Sequence, residues 1–265
     1  MKNYMIVCMF TFLLFGIFAC QGGNKQSSKQ VIVTAHRGAS GLAPENTIAA
    51  MLKAMEIGAD YAELDVQEIA DSSLILFHDL TLERTTNATG NIWEMTLKNL
   101  QGVDAGSWFD ADYAGEPIPT LESVIDTVHG KMKLNIELKM NGHEKSLVEQ
   151  VVNLVLEKNF MPECIITSFD REAVRKVKQL NPSIKTGYIF RNMPEEDIFN
   201  AEFDLFSIKK NMVNEEFVKK AHRHSKEVHV WTVNDAEEMR NLISYGVDAI
   251  ITDRPDILLG IIRQQ

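Results

Sequence analysis

The sequence predicts an α/β fold: a TIM-type (β/α)8 barrel with a β-hairpin and an insertion at the active-site end. Three observations carry this expectation. From Val31 onward, short β-rich runs alternate with helical ones, the pattern of a parallel sheet with crossover helices. Eight such units in the roughly 235 residues that follow the N-terminal leader suit a closed barrel better than an open doubly wound sheet. No GxGxxG fingerprint follows the first strand, as a dinucleotide-binding open sheet would carry.

The chain begins with a leader. Lys2 precedes an apolar run from Met5 to Ala19, and Cys20 is followed by the small and polar stretch QGGNKQSSKQ. The run is shorter than the ~20 apolar residues that span a bilayer, so residues 1–20 are expected to be a signal peptide and 21–30 a flexible tether. The segment IFAC resembles a bacterial lipobox, in which the cysteine becomes the lipid-modified first residue of the mature protein. Ala19 fits that pattern and Phe18 is bulkier than it usually allows; a leader without lipidation is the alternative. The expectation is an exported lipoprotein of a bacterial cell envelope, with residues 31–265 as one barrel domain.

The elements then follow in order. VIVTAH is the first strand. After the loop RGASGLAPEN, Asn46 or Thr47 can cap a helix with Ile48, Met51, Leu52 and Met55 on its apolar positions, and Gly58 ends it. Residues 61–79, YAELDVQEIADSSLILFHD, read as a hairpin: the short polar turn at Asp71 to Ser73 leaves no room for a crossover helix. That pairing is expected to bring His78 beside Asp65 and Val66. Residues 80–119 break the repeat and are expected to be an insertion over one end of the barrel, with a short helix around Leu97 to Leu100 and aromatics at Trp108, Phe109 and Tyr113. Further strands are expected at 133–138, 164–169, 184–190, 203–208, 228–233 and 249–252. With the hairpin's return strand left out, the count is eight.

Composition narrows the chemistry. A formal net charge of -10 argues against a nucleic-acid partner, and any anionic substrate must meet local positive charge. Cys8 and Cys20 lie in the leader and Cys164 stands alone, so the folded part has no disulfide framework.

Several polar residues sit near strand C-terminal ends, where barrel enzymes build their sites. His36 and Arg37 close the first strand, Glu63 and Asp65 share one face of the second, and His78 ends the hairpin. On the next strand, Asn135, Glu137 and Lys139 alternate with Leu134, Ile136 and Leu138, so the polar set faces the barrel interior. Three carboxylates converging there need compensation, since unpaired buried charge is costly. A divalent cation supplies it, and hard oxygen ligands without a nearby cysteine favour Mg2+ or Ca2+ over Zn2+. Two imidazoles suit general acid and base roles, and Arg37 and Lys139 suit an anionic group. The constellation fits metal-assisted phosphodiester hydrolysis.

At these residues the chain resembles the glycerophosphodiester phosphodiesterase family, through HRGASGLAPENT, ELDV and LFHD in that order, followed by ERTTNATG, DAGSWF, IPTLESV, IELK, TSF and WTVN. The resemblance covers roughly residues 31–258. It implies a phospholipase C-like phosphodiesterase barrel, one Ca2+ or Mg2+ ion, and hydrolysis of glycerophosphodiesters to an alcohol and sn-glycerol 3-phosphate. By position it carries metal ligation to Glu63, Asp65 and Glu137, acid-base catalysis to His36 and His78, and substrate contact to Arg37 and Lys139. It also suggests Trp231 as an aromatic wall for the glycerol moiety.

Each residue has a plainer reading alone. Glu63 and Asp65 could be a solvated edge face, His36 a structural histidine and Trp231 core packing; their co-occurrence favours the site. Asp79 is expected to orient a histidine or cap the loop, Glu45 and Asn46 to organise the start of the first helix with direct substrate contact as the alternative, and the remaining histidines to be structural or on the surface. Two other functions fit the same frame: a lysophospholipase D or phosphatidylinositol phospholipase-type activity, or a non-catalytic phosphodiester-binding lipoprotein. The sequence sets no oligomeric state.

Overall fold

The computed structural model describes residues 1, 2 and 30–264. The leader, its lipobox-like cysteine and nearly all of the tether lie outside the described residues.

Nine strands form one sheet, in the order β1-β9-β8-β7-β6-β5-β4-β2-β3, with β1 also paired to β2. That last pairing closes eight parallel strands into a barrel. β1 (Ile32–Ala35) lies between β9 (Ala249–Thr252) and β2 (Tyr61–Glu68), with Thr34 and Ala35 opposite Tyr61 and Ala62. β4 (Lys133–Leu138), β5 (Cys164–Ser168), β6 (Lys185–Phe190), β7 (Leu205–Lys209) and β8 (Glu227–Trp231) complete it. The return strand β3 (Leu74–Leu76) pairs antiparallel with β2 on the edge that β1 leaves vacant, and stands outside the barrel count.

The hairpin register differs from the expected one. Val66 faces Leu76, so Phe77 rather than His78 comes back to Asp65, donating its N–H to the Asp65 carbonyl at 3.0 Å. Ser72 adopts a left-handed turn conformation (φ 65°), and the ladder centres on Asp71, one residue before the middle of the expected Asp71 to Ser73 turn. His78 therefore lies beyond the ladder and reaches the site from a loop.

Side-chain alternation decides the layers. Ala62, Leu64 and Val66 of β2 and Leu134, Ile136 and Leu138 of β4 face outward, into a buried layer shared with helices such as α1 (Ile48–Ile57) and α3 (Leu147–Glu157). Their neighbours Glu63, Asp65, Asn135 and Glu137 face inward and are buried too. Thr47 caps α1 by accepting the N–H of Ala50, and Gly58 ends it in the left-handed region. The remaining helices are α2 (Leu121–Val128), α4 (Arg171–Leu180), α5 (Glu215–Arg223), α6 (Ala236–Tyr245) and α7 (Pro255–Ile262).

One unit lacks its helix: residues 191–204 join β6 to β7 as turns and bends among the described residues. Ile198, Phe199 and Phe203 are buried in its place.

The insertion has its own core. Leu82, Ile92 and Leu100 pack with Ile69, Ile75 and Phe77 of the hairpin, and Trp93 stacks on His143 at 4.0 Å. Around Leu97 to Leu100 the backbone forms turns, not the expected helix; short 3-10 segments occur instead at Ile92–Glu94 and Ala111–Tyr113. Trp108, Phe109 and Tyr113 pack edge to face on each other, and the Tyr113 hydroxyl donates to the Leu42 carbonyl. The insertion thus braces the rim beside the β1–α1 loop.

Candidate active site

At the C-terminal end of the barrel, one pocket is lined by His36, Arg37, Glu63, Asp65, His78, Glu137, Lys139 and Trp231. All eight residues singled out in the sequence meet there. No residue of the insertion lines it; the insertion aromatics are consumed in their own packing.

Strand register places the acids. Asp65 and Glu137 are directly opposite on β2 and β4, and Glu63 lies one pleat earlier on the same face. One carboxylate oxygen from each of the three falls within 4.8 Å of the others. Burial, then the Asp65 charge, pushes the Glu63 carboxyl up to about 8, and the same causes raise Glu137. Burial acts on Asp65 as well, but the charges of Lys139 and Arg37 overcome it and hold that carboxyl below the usual range. The two cations are unevenly shared. Lys139 Nζ lies 2.9 Å from Glu137 and 3.4 Å from Asp65, and Arg37 Nε lies 3.3 Å from Asp65 without a hydrogen bond. Glu63 accepts the backbone N–H of Arg37 at 2.8 Å and meets only His36 Nε2, 3.9 Å away.

That donor set fits a divalent cation. Three hard oxygens converge, one of the carboxylates has no Lys or Arg side chain paired with it among the described residues, and the charge already present is left undercompensated in a buried place.

The imidazoles are held by carboxylates. His36 Nδ1 donates to Asp253 Oδ1 at 2.6 Å, which leaves Nε2 toward the pocket. Asp253 is itself fixed by the Ser40 hydroxyl and the Asn234 amide, and against its burial these partners and His36 keep it well below the normal carboxylate range. Burial would lower His36, but the bond to Asp253 and the charge of Glu63 win and raise it. His78 Nδ1 donates to Asp79 Oδ1 at 2.7 Å; here burial prevails over the attraction of Asp65, helped by Arg37 and Lys139, and its pKa is lowered.

The sequence reading missed several supports. Asp253 follows the last strand at the same barrel rim, and that position was the available signal. Of the two expected caps, Thr47 is the one used, and Asn46 serves the site instead: its amide donates to Asp65 Oδ2 at 2.8 Å and its carbonyl accepts the Asp65 N–H. Arg37 and Asn46 both occupy the left-handed region (φ 50° and 57°), so backbone strain concentrates where two side chains are aimed at Asp65 and the Arg37 N–H at Glu63.

The residues from 36 to 257 match the model of the Glycerophosphoryl diester phosphodiesterase family. The chain belongs to that family. Its relatives include a glycerophosphodiester phosphodiesterase of Caldanaerobacter subterraneus, 37% identical over 89% of this chain and 99% of the relative, and one of Bacillus subtilis, 32% identical over 94% and 92%. Among solved structures, a phosphodiesterase of Oleispira antarctica in complex with the product sn-glycerol-3-phosphate has a TM-score of 0.80 at 31% identity, covering 88% of this chain and 97% of that one. A glycerophosphodiester phosphodiesterase from Agrobacterium tumefaciens gives 0.76 at 30% identity, covering 87% and 99%. The family's barrel and this closed eight-strand sheet agree.

Proposed function

We propose that this family member hydrolyses glycerophosphodiesters to an alcohol and sn-glycerol 3-phosphate, with one divalent cation and acid-base catalysis by His36 and His78. The observation that carries the reading is the convergence of two carboxylate-held imidazoles, three buried carboxylates and two cations in one pocket. Glu63, Asp65 and Glu137 would hold the ion, Ca2+ or Mg2+, which when bound polarises a phosphoryl oxygen and offsets developing charge. Arg37 and Lys139 bind the phosphodiester anion. Phe169 and Trp231, edge to face at 5.8 Å, wall the glycerol, and the buried Trp231 Nε1 has no protein partner, so it suits a substrate hydroxyl.

The opposite pKa directions of the two imidazoles support a division of roles. His78, biased toward the neutral form, takes the proton from the attacking oxygen. His36, biased toward the protonated form by Asp253, donates a proton to the departing alcohol as the P–O bond breaks. Each carboxylate stabilises the cation that its imidazole becomes or already is. Release of glycerol 3-phosphate from glycerophosphocholine, lost in both His36→Ala and His78→Ala, is the expected outcome. Undiminished turnover in either variant would refute the assignment.

The leader supports export and anchoring through Cys20, and no helix among the described residues is long and apolar enough to cross a membrane. Release of the protein from membranes on Cys20→Ala tests the anchor; unchanged membrane association would count against it.

A further inference from the structure

The motif ERTTNATG lies in the insertion, and none of its residues lines the pocket. Its arginine nevertheless reaches both carboxylates that stand behind the pocket. Arg84 Nε donates to Asp79 Oδ2 at 2.5 Å, and the other oxygen of Asp79 holds His78 Nδ1. The two terminal nitrogens of Arg84 grip Glu45 at 2.7 and 3.0 Å, and Glu45 Oε1 also accepts from Arg37 Nη1 at 2.7 Å. One guanidinium thus ties the carboxylate that orients a histidine to the carboxylate that orients a phosphate-binding arginine.

We infer that Arg84 is a positioning residue that aligns His78 and Arg37 together, making the insertion part of the catalytic apparatus. This rests on the acid-base reading above. Among the described residues no Lys or other Arg pairs with Asp79, and Glu45 has only Arg37 and Arg84. Without Arg84, Asp79 at the pocket rim is free to turn toward water, and His78 loses the bond that fixes its tautomer. Glu45 would keep one cation instead of two, loosening the arginine it steers. Lysine is no substitute: its three donors leave one nitrogen, which lacks the planar fork that spans two separate carboxylates. The braces around Arg84 are rigid enough for this task, since Leu82 is fully buried, and the Leu82 N–H donates to the Gly90 carbonyl while the Thr86 hydroxyl donates to the Leu82 carbonyl.

The test compares wild type, Arg84→Ala, Arg84→Gln and Arg84→Lys on glycerophosphocholine with saturating Ca2+ or Mg2+, beside His78→Ala and Arg37→Ala. The expected result is a kcat loss of about 100-fold in each Arg84 variant, the scale of a misplacement remote from the chemistry. Lysine should give no advantage over glutamine, and added guanidinium ion should restore about tenfold in Arg84→Ala. In an Asp79→Asn background, Arg84→Ala should cost about tenfold or less instead of about 100-fold, because the Asp79 bond is already lost and only the Glu45 contact remains to lose. Arg84 variants within about threefold of wild type, while His78→Ala and Arg37→Ala are inactive, would overturn the inference. So would losses that multiply with Asp79→Asn and resist guanidinium, the signature of a structural role only. Retained turnover in His78→Ala and Arg37→Ala would instead bring down the underlying reading, and this inference with it.

Discussion

Replacing Glu63 by glutamine should stabilise the metal-free protein while disabling the site. Glu63 is buried near Asp65 and Glu137, and its carboxyl is raised from 4.5 to about 8. An acid with a raised folded-state pKa binds its proton more tightly when folded. Its folding is therefore most favourable below 4.5, and stability falls as pH climbs from 4.5 to about 8. At 1.36 kcal/mol per pKa unit, the penalty near pH 8 is about 4 kcal/mol, shared in part with Asp65 and Glu137. A barrel of this size moves by roughly 2–4 °C in Tm per kcal/mol, so a gap on the order of 10 °C is expected. Glutamine keeps the acceptor that Arg37 N–H uses and removes the charge. In calorimetry of chelator-treated protein at pH 8, Glu63→Gln should melt above wild type, and the gap should close toward pH 5. Adding Ca2+ or Mg2+ should raise wild type and leave the variant behind. A chelated variant that melts at or below wild type at pH 8, or a gap independent of pH, would refute the electrostatic reasoning.

Other predictions follow from single contacts. Asp253→Asn removes the ionised partner of His36 Nδ1 and should lower kcat by about 10–100-fold with little change in KM, read from steady-state kinetics. Glu227, near the N-terminal end of the barrel interior, is lowered to about 2 by its bonds to His229 and Lys185. Its contribution is therefore complete above 4.5 and lost as pH falls toward 2, and after allowance for partial exposure Glu227→Gln should cost about 1–2 kcal/mol at pH 7 and nearly nothing at pH 2 in urea titrations. Gly38 has φ 75°, and an added Cβ would sit 2.6 Å from the Ala50 Cβ of α1. Gly38→Ala should cost about 2–4 kcal/mol of unfolding free energy, combining left-handed strain with overpacking.

What the sequence disclosed depended on range. The strands KLNIEL and AIIT were legible to the residue because alternation and turn signals are local, and alternation also predicted that Glu137 and Lys139 face inward. The hairpin was legible but its register was not, because the left-handed Ser72 shifts the pairing and sequence alone does not place it. Asp253 lies 217 residues from His36, and only barrel closure through β1 and β9 makes them neighbours. Asn46 was hidden by a plausible local duty that its neighbour Thr47 performs. The missing helix before β7 was not legible, because the expectation rested on the regularity of the repeat and Pro194 with the acidic residues after it reads as a helix start.

The most direct measurement is release of sn-glycerol 3-phosphate from a glycerophosphodiester by the chelated protein, before and after adding back Ca2+ or Mg2+. Activity should vanish on chelation, return with one of these ions, and fail to return in Glu63→Gln. Full turnover in the chelated wild type, or restored turnover in the variant equal to wild type, would contradict the account.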